Sequence, residues 1–233
     1  MDYKDKLKKI ASLASELVKY EGVSLGRGVK TESNIFFDTE NGPIVIGEDC
    51  IIRAGAVLRG PLLVGRSCRL GGEIEHSIIG DYTNKQHYGY VGHSYIGNWV
   101  NLGAGTSISD LKNTYSAIKM KGIDTGEIKL GVIIGDYSKT AINTSIFCGK
   151  VIGTSSHLYG TVTEDVPAFV SHVSPGNMYE LPLKLAKKIQ KAMMARRGLE
   201  FTEKDEELFD ELFEKTKGER KKAGVKKEKL SFK

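Results

Sequence analysis

The sequence predicts a mainly β solenoid, built from short strands and tight corners that repeat along the chain. An aliphatic residue recurs at every sixth position and is often followed by glycine, as at Ile46-Gly47, Ile52 and Leu58. The chain has 27 glycines among its 233 residues, and only 8% of its residues are aromatic. Abundant glycine with few aromatic residues favours tight β corners over a helical bundle, and a fixed short period indicates a solenoid.

The hexad rhythm spans Gly42 to about Val166. Each hexad suits one short strand and one corner, with the aliphatic residue pointing inward and glycine where the chain turns. Three hexads close one coil of a triangular prism, so residues about eighteen apart stack in one column and the coils join through parallel sheets. The register slips between Leu70 and Val91. Three runs carry the rhythm, namely Ile46, Ile52, Leu58, Val64 and Leu70, then Ile96, Leu102 and Ile108, then Ile134, Thr140, Ile146, Ile152 and Leu158.

The rhythm divides the chain into three segments. Residues 1–41 are expected to form an N-terminal helix at Asp5–Tyr20 and a connection with one strand at Asn34–Phe37, because apolar residues recur there at helical spacing before the glycines begin. Residues 42–170 are expected to form the solenoid, with an insertion at 109–130. Residues 171–233 are expected to form C-terminal helices and a basic tail.

The pattern after the solenoid predicts a loop and two helices. The loop covers Ser171–Asn177, and the first helix covers Met178–Arg196. Thr202 is a good N-cap for the second helix, with Asp205 three residues later near the positive helix end. The lysine-rich end is expected to be frayed.

Composition argues against nucleic acid and membrane partners. The net charge of +5 lies largely in the last stretch, which favours a solvated tail over a basic patch. Cys50, Cys68 and Cys148 are odd in number, lie far apart and form no CxxC motif, as expected of reduced, mostly buried thiols. No apolar run is long enough to cross a membrane. We therefore expect a cytoplasmic protein.

The rhythm resembles that of the hexapeptide-repeat family. This resemblance implies a left-handed parallel β-helix, whereas ordinary crossover rules would give the opposite hand. It also implies a homotrimer, with small-molecule ligands bound in the grooves between subunits.

A more specific motif begins at His87, where the sequence runs H-Y-G-Y-V-G-H-S-Y-I-G-N-W-V-N-L-G-A-G-T. It resembles the acetyltransferase domain of the bifunctional glucosamine-1-phosphate N-acetyltransferase/UDP-N-acetylglucosamine pyrophosphorylase family. The family's histidine, the tyrosine three residues later and the asparagine before Gly-Ala-Gly-Thr match His87, Tyr90 and Asn101. The resemblance implies transfer of an acetyl group from acetyl-CoA, a co-substrate, to an amino-sugar phosphate, with no catalytic metal.

The residue types suit this chemistry. An amine must lose a proton as it attacks a thioester, and a histidine, which titrates near ~6.5, can take that proton at neutral pH. The resemblance implies that His87 is this base and that Tyr90 and Asn101 hold the sugar. It also implies that Ala104 and Gly160 lie against coenzyme A. Each residue has a structural alternative, as a groove-lining, corner or packing residue.

A sugar phosphate also needs cationic partners. Lys85, Arg59, Lys112 and Lys119 are the candidates. Lys112 and Lys119 lie in the insertion, where the family also carries a lysine. A solvated surface charge is an equally simple interpretation of each.

Three departures from the family pattern bear on the acceptor. Asp110 stands where the family has asparagine; it could hold the ammonium form of the substrate, but it cannot donate a hydrogen bond when ionised. Glu75 falls where the family has a basic residue, one coil before His87. No segment of the sequence resembles the pyrophosphorylase domain, so we expect only the acetyl step.

Two other functions stay open. His76, His87 and His93 invite comparison with carbonic anhydrase-like metal sites built from three histidines. His87 and His93 are six residues apart, however, and so fall on adjacent sides of the prism. The chain could also be a non-catalytic scaffold or regulatory subunit that pairs with a separate nucleotidyltransferase.

Overall fold

The computed structural model describes residues 8, 10, 12, 13, 19, 21–228 and 230. Residues 8, 10, 12 and 13 are helical, and the rest of the helix expected at Asp5–Tyr20 lies outside the described residues. Within the described part of the chain, no helix combines the length and the apolar character needed to span a membrane.

Short parallel strands wind into a solenoid with three faces, which confirms the predicted β architecture. We name the faces A, B and C in the order in which each coil visits them. The handedness of the coil stays a prediction from the resemblance. Face A stacks β1 (Val23–Leu25), β4 (Ile44–Ile46), β7 (Leu62–Val64), β10 (Ile78–Ile79), β13 (Tyr95–Ile96), β17 (Ile133–Ile134) and β20 (Val151–Ile152).

Faces B and C complete each coil. In face B, a bridging residue, Asn101, connects two groups of strands by pairing with Asn84 and Lys139. Face B contains β2 (Lys30–Thr31), β5 (Ile51–Ile52), β8 (Arg69–Leu70), β11 (Asn84–Lys85), β18 (Lys139–Thr140), β21 (His157–Leu158) and β23 (Val170–Ser174). Face C contains β3 (Phe36–Asp38), β6 (Val57–Arg59), β9 (Glu73–Glu75), β12 (Tyr90–Gly92), β14 (Ser107–Ile108), β19 (Ser145–Ile146) and β22 (Thr161–Val162).

Aliphatic columns fill the interior of the prism. Under face C, Leu58, Ile74, Val91 and Ile108 lie on successive coils and are fully buried. Because parallel pairing places like residues on top of one another, each coil covers the apolar side chains of the next. Corresponding columns lie under face A (Ile46, Val64, Ile79, Ile96, Ile134 and Ile152) and under face B (Ile52, Leu70, Leu102 and Leu158). The three cysteines are buried and unpaired, as expected.

The coils differ in length at their corners. Ile44 pairs with Leu62, a step of eighteen residues that equals three hexads. Leu63 pairs with Ile78 and Ile78 with Tyr95, which are steps of fifteen and seventeen residues. These short coils account for the predicted register slip, because the inward residues keep their columns while the corners lose residues.

The solenoid has one more coil at its N-terminal end than the sequence rhythm indicates. The rhythm begins at Gly42, but β1, β2 and β3 already pair in parallel with β4, β5 and β6. Leu25-Gly26 in this coil carries the aliphatic-glycine pair, but the inward positions that follow are Thr31 and Phe37, so the aliphatic rhythm does not continue through the coil.

The insertion folds back over the outside of face A. It contains a hairpin of β15 (Lys119–Met120) and β16 (Ile123–Asp124). Met120 is buried against Tyr95, Ile133 and Val151, on the outward side of face A. The insertion therefore covers an apolar surface that the prism alone would expose.

The segment after the solenoid differs from the prediction at its start. The predicted loop at Ser171–Asn177 is a β-hairpin, in which β23 pairs with β24 (Asn177–Glu180). The first helix, α1 (Leu183–Ala195), starts after Pro182 and not at Met178. The hairpin forms because β23 continues face B by pairing with β21, and this pairing takes precedence over the helical pattern of the following residues.

The second helix and the tail pack on this hairpin. Helix α2 (Glu203–Lys215) begins at the predicted N-cap, Thr202, in a capping box with Asp205. The prediction of a frayed tail is wrong for α3 (Lys217–Lys222) and the residues just after it. Arg220 is only 2% exposed and donates to Glu180 at 3.0 Å, so the tail is held in place through a buried ion pair.

Lys85 interrupts the aliphatic column of face B. It pairs in register with Leu70, which makes its position an inward one, and it is 2% exposed. Its ammonium donates to the carbonyl oxygens of Gly71, His87 and Gly89 at 2.8, 2.8 and 3.2 Å. The prediction that Lys85 binds a substrate phosphate is therefore wrong, because the lysine points into the core and fastens the His87 loop from inside.

We predict that Ile74→Ala lowers the free energy of unfolding by about 2–5 kcal/mol, because it opens a cavity in a fully buried column. Val57→Ala, at a half-buried outward position of the same face, is the matched control and should cost less. Urea denaturation measures both. Equal losses in the two variants would contradict the assignment of the columns as the core.

Lys85→Met tests the buried ammonium through pH. Burial lowers the pKa of Lys85 to about 8, below the 10.5 expected of an unfolded chain. Between these values the unfolded state holds more protons, so the lysine's contribution to stability rises with pH. Between pH 8 and 10.5, the free energy of unfolding of the natural protein should therefore rise relative to that of Lys85→Met, by up to about 3 kcal/mol.

Chemical denaturation at several pH values measures this difference. Lys30→Met, at an exposed position of the same face, is the control for removing a lysine. A difference between Lys85→Met and the natural protein that does not change with pH would show that the ammonium is solvated.

Candidate functional site

The motif residues lie along the two edges of face C. His87 occupies the corner that leads from face B into face C, between β11 and β12. His93 occupies the opposite corner, between β12 and β13, where the chain passes into face A. Tyr90 lies on β12 between them, so the motif spans the outer surface of face C.

Tyr90 joins two carboxylates on this surface. Its hydroxyl oxygen lies 2.5 Å from Glu75 Oε1 and 2.8 Å from Asp110 Oδ2. A hydroxyl has a single proton to donate, so the two carboxylates share or compete for that proton. Burial, followed by these two carboxylates, raises the pKa of Tyr90 and keeps the phenol neutral. A Cβ at Gly92 would collide with the hydroxyl, so glycine is required for Tyr90 to lie across the face.

His93 extends this network toward face A. Its Nδ1 lies 2.6 Å from Asp110 Oδ2, so the ring donates to the carboxylate from Nδ1. In the neutral ring, Nε2 is then the acceptor. A carboxylate that fixes the tautomer and orientation of a histidine is the usual arrangement of a general base.

His76 occupies the same corner one coil earlier. Its ring stacks on that of His93, with the centroids 4.6 Å apart and an angle of 4° between the planes. Both residues adopt φ 47°, the left-handed region that side chains other than glycine rarely occupy. Burial, followed by the neighbouring His93, lowers the pKa of His76, so the stacked ring is held neutral.

A metal ion would fit this corner poorly. Among the described residues, Glu75, His76 and His93 each offer a ligand atom within 4.8 Å of the others. A histidine nitrogen binds a metal in the plane of its ring, and two parallel stacked planes cannot contain the same ion. His93 Nδ1 is also engaged by Asp110. His87 is not part of this group, so the three-histidine alternative is not assembled within the described chain.

A cavity of about 410 Å³ adjoins the two stacked rings. Its walls are mainly apolar and come from face A and from the insertion. His93 therefore borders a half-open, mainly apolar cavity, although the family resemblance draws attention to His87. The cavity is lined by residues that include His76, His93, Tyr95, Met120, Leu130 and Ile133.

His87 has a more open environment. Its side chain is exposed, and its Nε2 lies 3.3 Å from Nε2 of Gln86. Arg53 in turn donates to Gln86 Oε1 at 3.1 Å. The buried ammonium of Lys85 holds the His87 carbonyl, so the backbone of this corner is fixed while the imidazole faces outward.

Ala104 and Gly160 lie along the same corner as His87. The Gly105 amide donates to the Tyr88 carbonyl, which places the Ala104 turn on the coil after His87. The Asn143 amide donates to the Ala104 carbonyl, and the Ser145 amide donates to that of Gly160. The structure therefore brings the predicted base and the two predicted coenzyme A positions onto one edge of the prism.

Asn101 lies elsewhere. It sits on the outward side of face B, where its Oδ1 accepts from Asn84 Nδ2 at 2.7 Å. It therefore belongs to a different surface from Tyr90 and Asp110, because it lies less than one coil from each of them along the chain and its own column is that of Asn84 on face B.

The remaining predicted cations are engaged or remote. Arg59 pairs with the carboxylates of Asp38 and Glu73. Lys112 donates to a backbone carbonyl within the insertion. Lys119 is exposed on the hairpin strand β15. Arg59 nevertheless lies beside the Tyr90 network, because it pairs in register with Glu75 on the neighbouring strand.

The His93–Asp110 pair is the feature that residue patterns alone miss. A signal for it exists, because Asp110 follows His93 by seventeen residues, which is the length of the neighbouring coils. His93 is also six residues from His87, and this shorter spacing draws attention away from the spacing of His93 and Asp110.

Comparison with curated proteins finds partial matches. The chain is 30% identical over 151 residues to the bifunctional protein GlmU of Synechococcus elongatus, which covers 63% of this chain and 28% of that protein. It is 37% identical over 100 residues to a bifunctional sugar-1-phosphate nucleotidylyltransferase/acetyltransferase of Sulfurisphaera tokodaii, covering 40% and 25%. The chain therefore spans about a quarter of the length of these relatives. No protein-family model matches the chain.

Solved structures give a weaker likeness. AntD, an N-acyltransferase from Bacillus cereus in complex with dTDP and coenzyme A, is 18% identical with a TM-score of 0.42, covering 76% of this chain and 96% of that one. The polySia-specific acetyltransferase NeuO is 20% identical with a TM-score of 0.35, covering 65% and 76%. At TM-scores below 0.5, neither likeness carries an argument about this chain.

The curated matches confirm the resemblance that the His87 motif indicates. Over about two thirds of its length, the chain is similar to part of the bifunctional GlmU proteins.

Proposed function

We propose that this chain is an acetyl-CoA-dependent N-acetyltransferase that acts on an amino-sugar phosphate of the glucosamine-1-phosphate kind. The observation that carries the proposal is the alignment of His87, Ala104 and Gly160 along one corner of the prism. The similarity to bifunctional proteins, one of which is named an acetyltransferase, supports the same activity.

The proposed reaction is a direct transfer. The ammonium of the bound acceptor first releases one proton to solvent. The neutral amine nitrogen then attacks the thioester carbonyl carbon of acetyl-CoA, a C–N bond forms, and the C–S bond breaks. His87 takes the proton that the amine loses and passes it to the departing thiolate, so no other reactant is needed. Lys85 acts as a positioning residue, because it holds the backbone of the His87 loop from the core.

The Tyr90 network would select the acceptor. Glu75 and Asp110 place two carboxylates at one hydroxyl, and Arg59, the nearby predicted cation, is already neutralised by Asp38 and Glu73. Such a surface favours the ammonium form of an amino sugar and disfavours its phosphate. We therefore place the amine of the acceptor toward face C and its phosphate away from it.

Exposed apolar side chains support a homotrimer with active sites between subunits. Tyr88 and Ile142 are 67% and 69% exposed on the corner that carries His87. Phe36 and Phe147 are more than half exposed on face C. Exposed apolar side chains on this corner and on the adjoining face are typical of a surface that a partner subunit covers. A cytoplasmic location, in keeping with the three unpaired thiols, belongs to the same proposal.

The alternative is a non-catalytic scaffold or regulatory subunit. The open environment of His87 favours it, since no described carboxylate orients the ring. Turnover distinguishes the two functions directly.

We predict release of free thiol from acetyl-CoA that depends on the acceptor, measured with glucosamine-1-phosphate, galactosamine-1-phosphate and no acceptor. His87→Ala should lower kcat by about 10²–10⁴-fold without changing the oligomeric state, because the amine then loses its general base. Arg27→Gln, at an exposed position remote from the corner, is the control.

His93→Ala, assayed in parallel, tests the oriented histidine at the other corner. An unchanged rate in His87→Ala together with a large loss in His93→Ala would move the base to His93. Absence of thiol release by the folded oligomer with every acceptor would favour the scaffold.

A further inference from the structure

A second cavity, which has a row of polar side chains along one wall, lies on face B, apart from the Tyr90 network. Arg69, Asn84, Asn101 and Lys139 occupy successive coils of one outward column, paired residue to residue. Neighbouring strands are about 4.8 Å apart, so the four side chains form a continuous row. Helix α1 and the residues after it lie over this row and enclose a cavity of about 290 Å³.

The charge of the cavity is entirely positive. Four cations line it, namely Arg69, Lys139, Arg196 and Arg197, and no aspartate or glutamate is among its lining residues. Elsewhere on the prism the arginines have carboxylate partners, as Arg53 has with Glu32 at 2.7 Å. The absence of a counter-charge is therefore a property of this cavity.

The protein contacts of these cations leave their charge uncompensated. Lys139 donates to the Tyr137 carbonyl at 2.8 Å, and Arg197 donates to the Ser67 carbonyl at 3.2 Å. Both acceptors are neutral. Burial lowers the pKa of Lys139 to about 8. Burial, followed by the neighbouring Arg69, also lowers the pKa of Arg197, as expected of cations held together without an anion.

Two polar atoms in the row lack partners altogether. Arg69 Nε and Asn84 Oδ1 are buried and make no hydrogen bond within the described chain. A buried polar atom without a partner is unfavourable, so such atoms mark places where a ligand or water completes the structure. Here one atom is a donor and the other an acceptor, which suits a ligand that carries both an anion and hydroxyl groups.

The size, lining and position of the cavity indicate which class of anion it binds. Guanidinium groups hold phosphate oxygens with paired hydrogen bonds. The cavity exceeds the size of one phosphate and has an apolar wall from Ile189 and Met193, so it has room for an organic group attached to the phosphate. Gln86 lines the cavity and lies 3.3 Å from His87, so the cavity opens toward the corner proposed for the reaction.

We propose that the cavity between face B and α1 binds the phosphate of a phosphate-bearing small molecule. The phosphate can come from the amino-sugar phosphate or from coenzyme A, and both carry the same recognition chemistry. The identification of these two sources rests on the proposed function, whereas the phosphate site itself does not. In this proposal the cations of the cavity bind the phosphate. The sequence alone instead predicts that role for Lys85, Arg59, Lys112 and Lys119.

Isothermal titration calorimetry of the full chain tests the site without turnover. Two pairs of probes separate the sources, namely glucosamine-1-phosphate against glucosamine, and coenzyme A against dephospho-coenzyme A. In at least one pair the probe with the additional phosphate should bind tenfold tighter or more. In Arg69→Gln and Lys139→Gln that advantage should fall at least tenfold, while Arg27→Gln keeps it.

Thermal unfolding checks that each variant is folded. If Arg69→Gln does not fold, Arg196→Gln decides, because Arg196 is exposed and follows the end of α1. Equal affinity within both probe pairs, or an undiminished advantage in the folded cavity variants, would overturn the proposal. Phosphate-dependent binding without any turnover would support the site and contradict the proposed function, so the two can fail separately.

Discussion

Parallel pairing between successive coils decides which side chains reach the interior of the prism, and the other features of the molecule follow from it. Each inward position must match the one above it, so the interior is a set of aliphatic columns. Lys85 occupies one of these positions, between Leu70 and Leu102. A lysine is tolerated there because three carbonyl oxygens surround its ammonium, and two of them belong to the loop that carries His87. A constraint of the core thereby fixes the backbone at the corner proposed for catalysis.

The sequence alone reveals most of the solenoid but only part of the site. The columns from Ile46 to Leu158 follow from hexad spacing, and the N-cap at Thr202 follows from its side chain. The first coil and the hairpin of β23 and β24 do not, because a polar and an aromatic residue take the inward positions after Leu25-Gly26, and the hairpin forms through coil-to-coil pairing alone. The site depends on corner lengths, which vary from coil to coil. A coil of seventeen residues brings His93 to Asp110, whereas Asn101 lies less than one coil from Tyr90 and so falls on another face.

Charge is divided between two surfaces of the prism. Face C gathers carboxylates at Tyr90, whereas the row on face B gathers cations that have no counter-charge. His87 stands at the corner between these two faces. An acceptor with an amine at one end and a phosphate at the other matches this division, since each end meets the opposite charge. The departures from the family pattern at Glu75 and Asp110 are consistent with a phosphate held on the neighbouring face.

The C-terminal tail has a consequence for solubility. A solenoid ends in a strand whose backbone groups could pair with another molecule, and stacked coils invite growth end to end. Here the last strand, β24, is not left open, because Lys226 bridges Tyr179 and exchanges backbone hydrogen bonds with Met178 and Glu180. The buried Arg220–Glu180 pair anchors this closing segment. The tail thus occupies backbone groups of β24 that an additional strand would otherwise need for pairing.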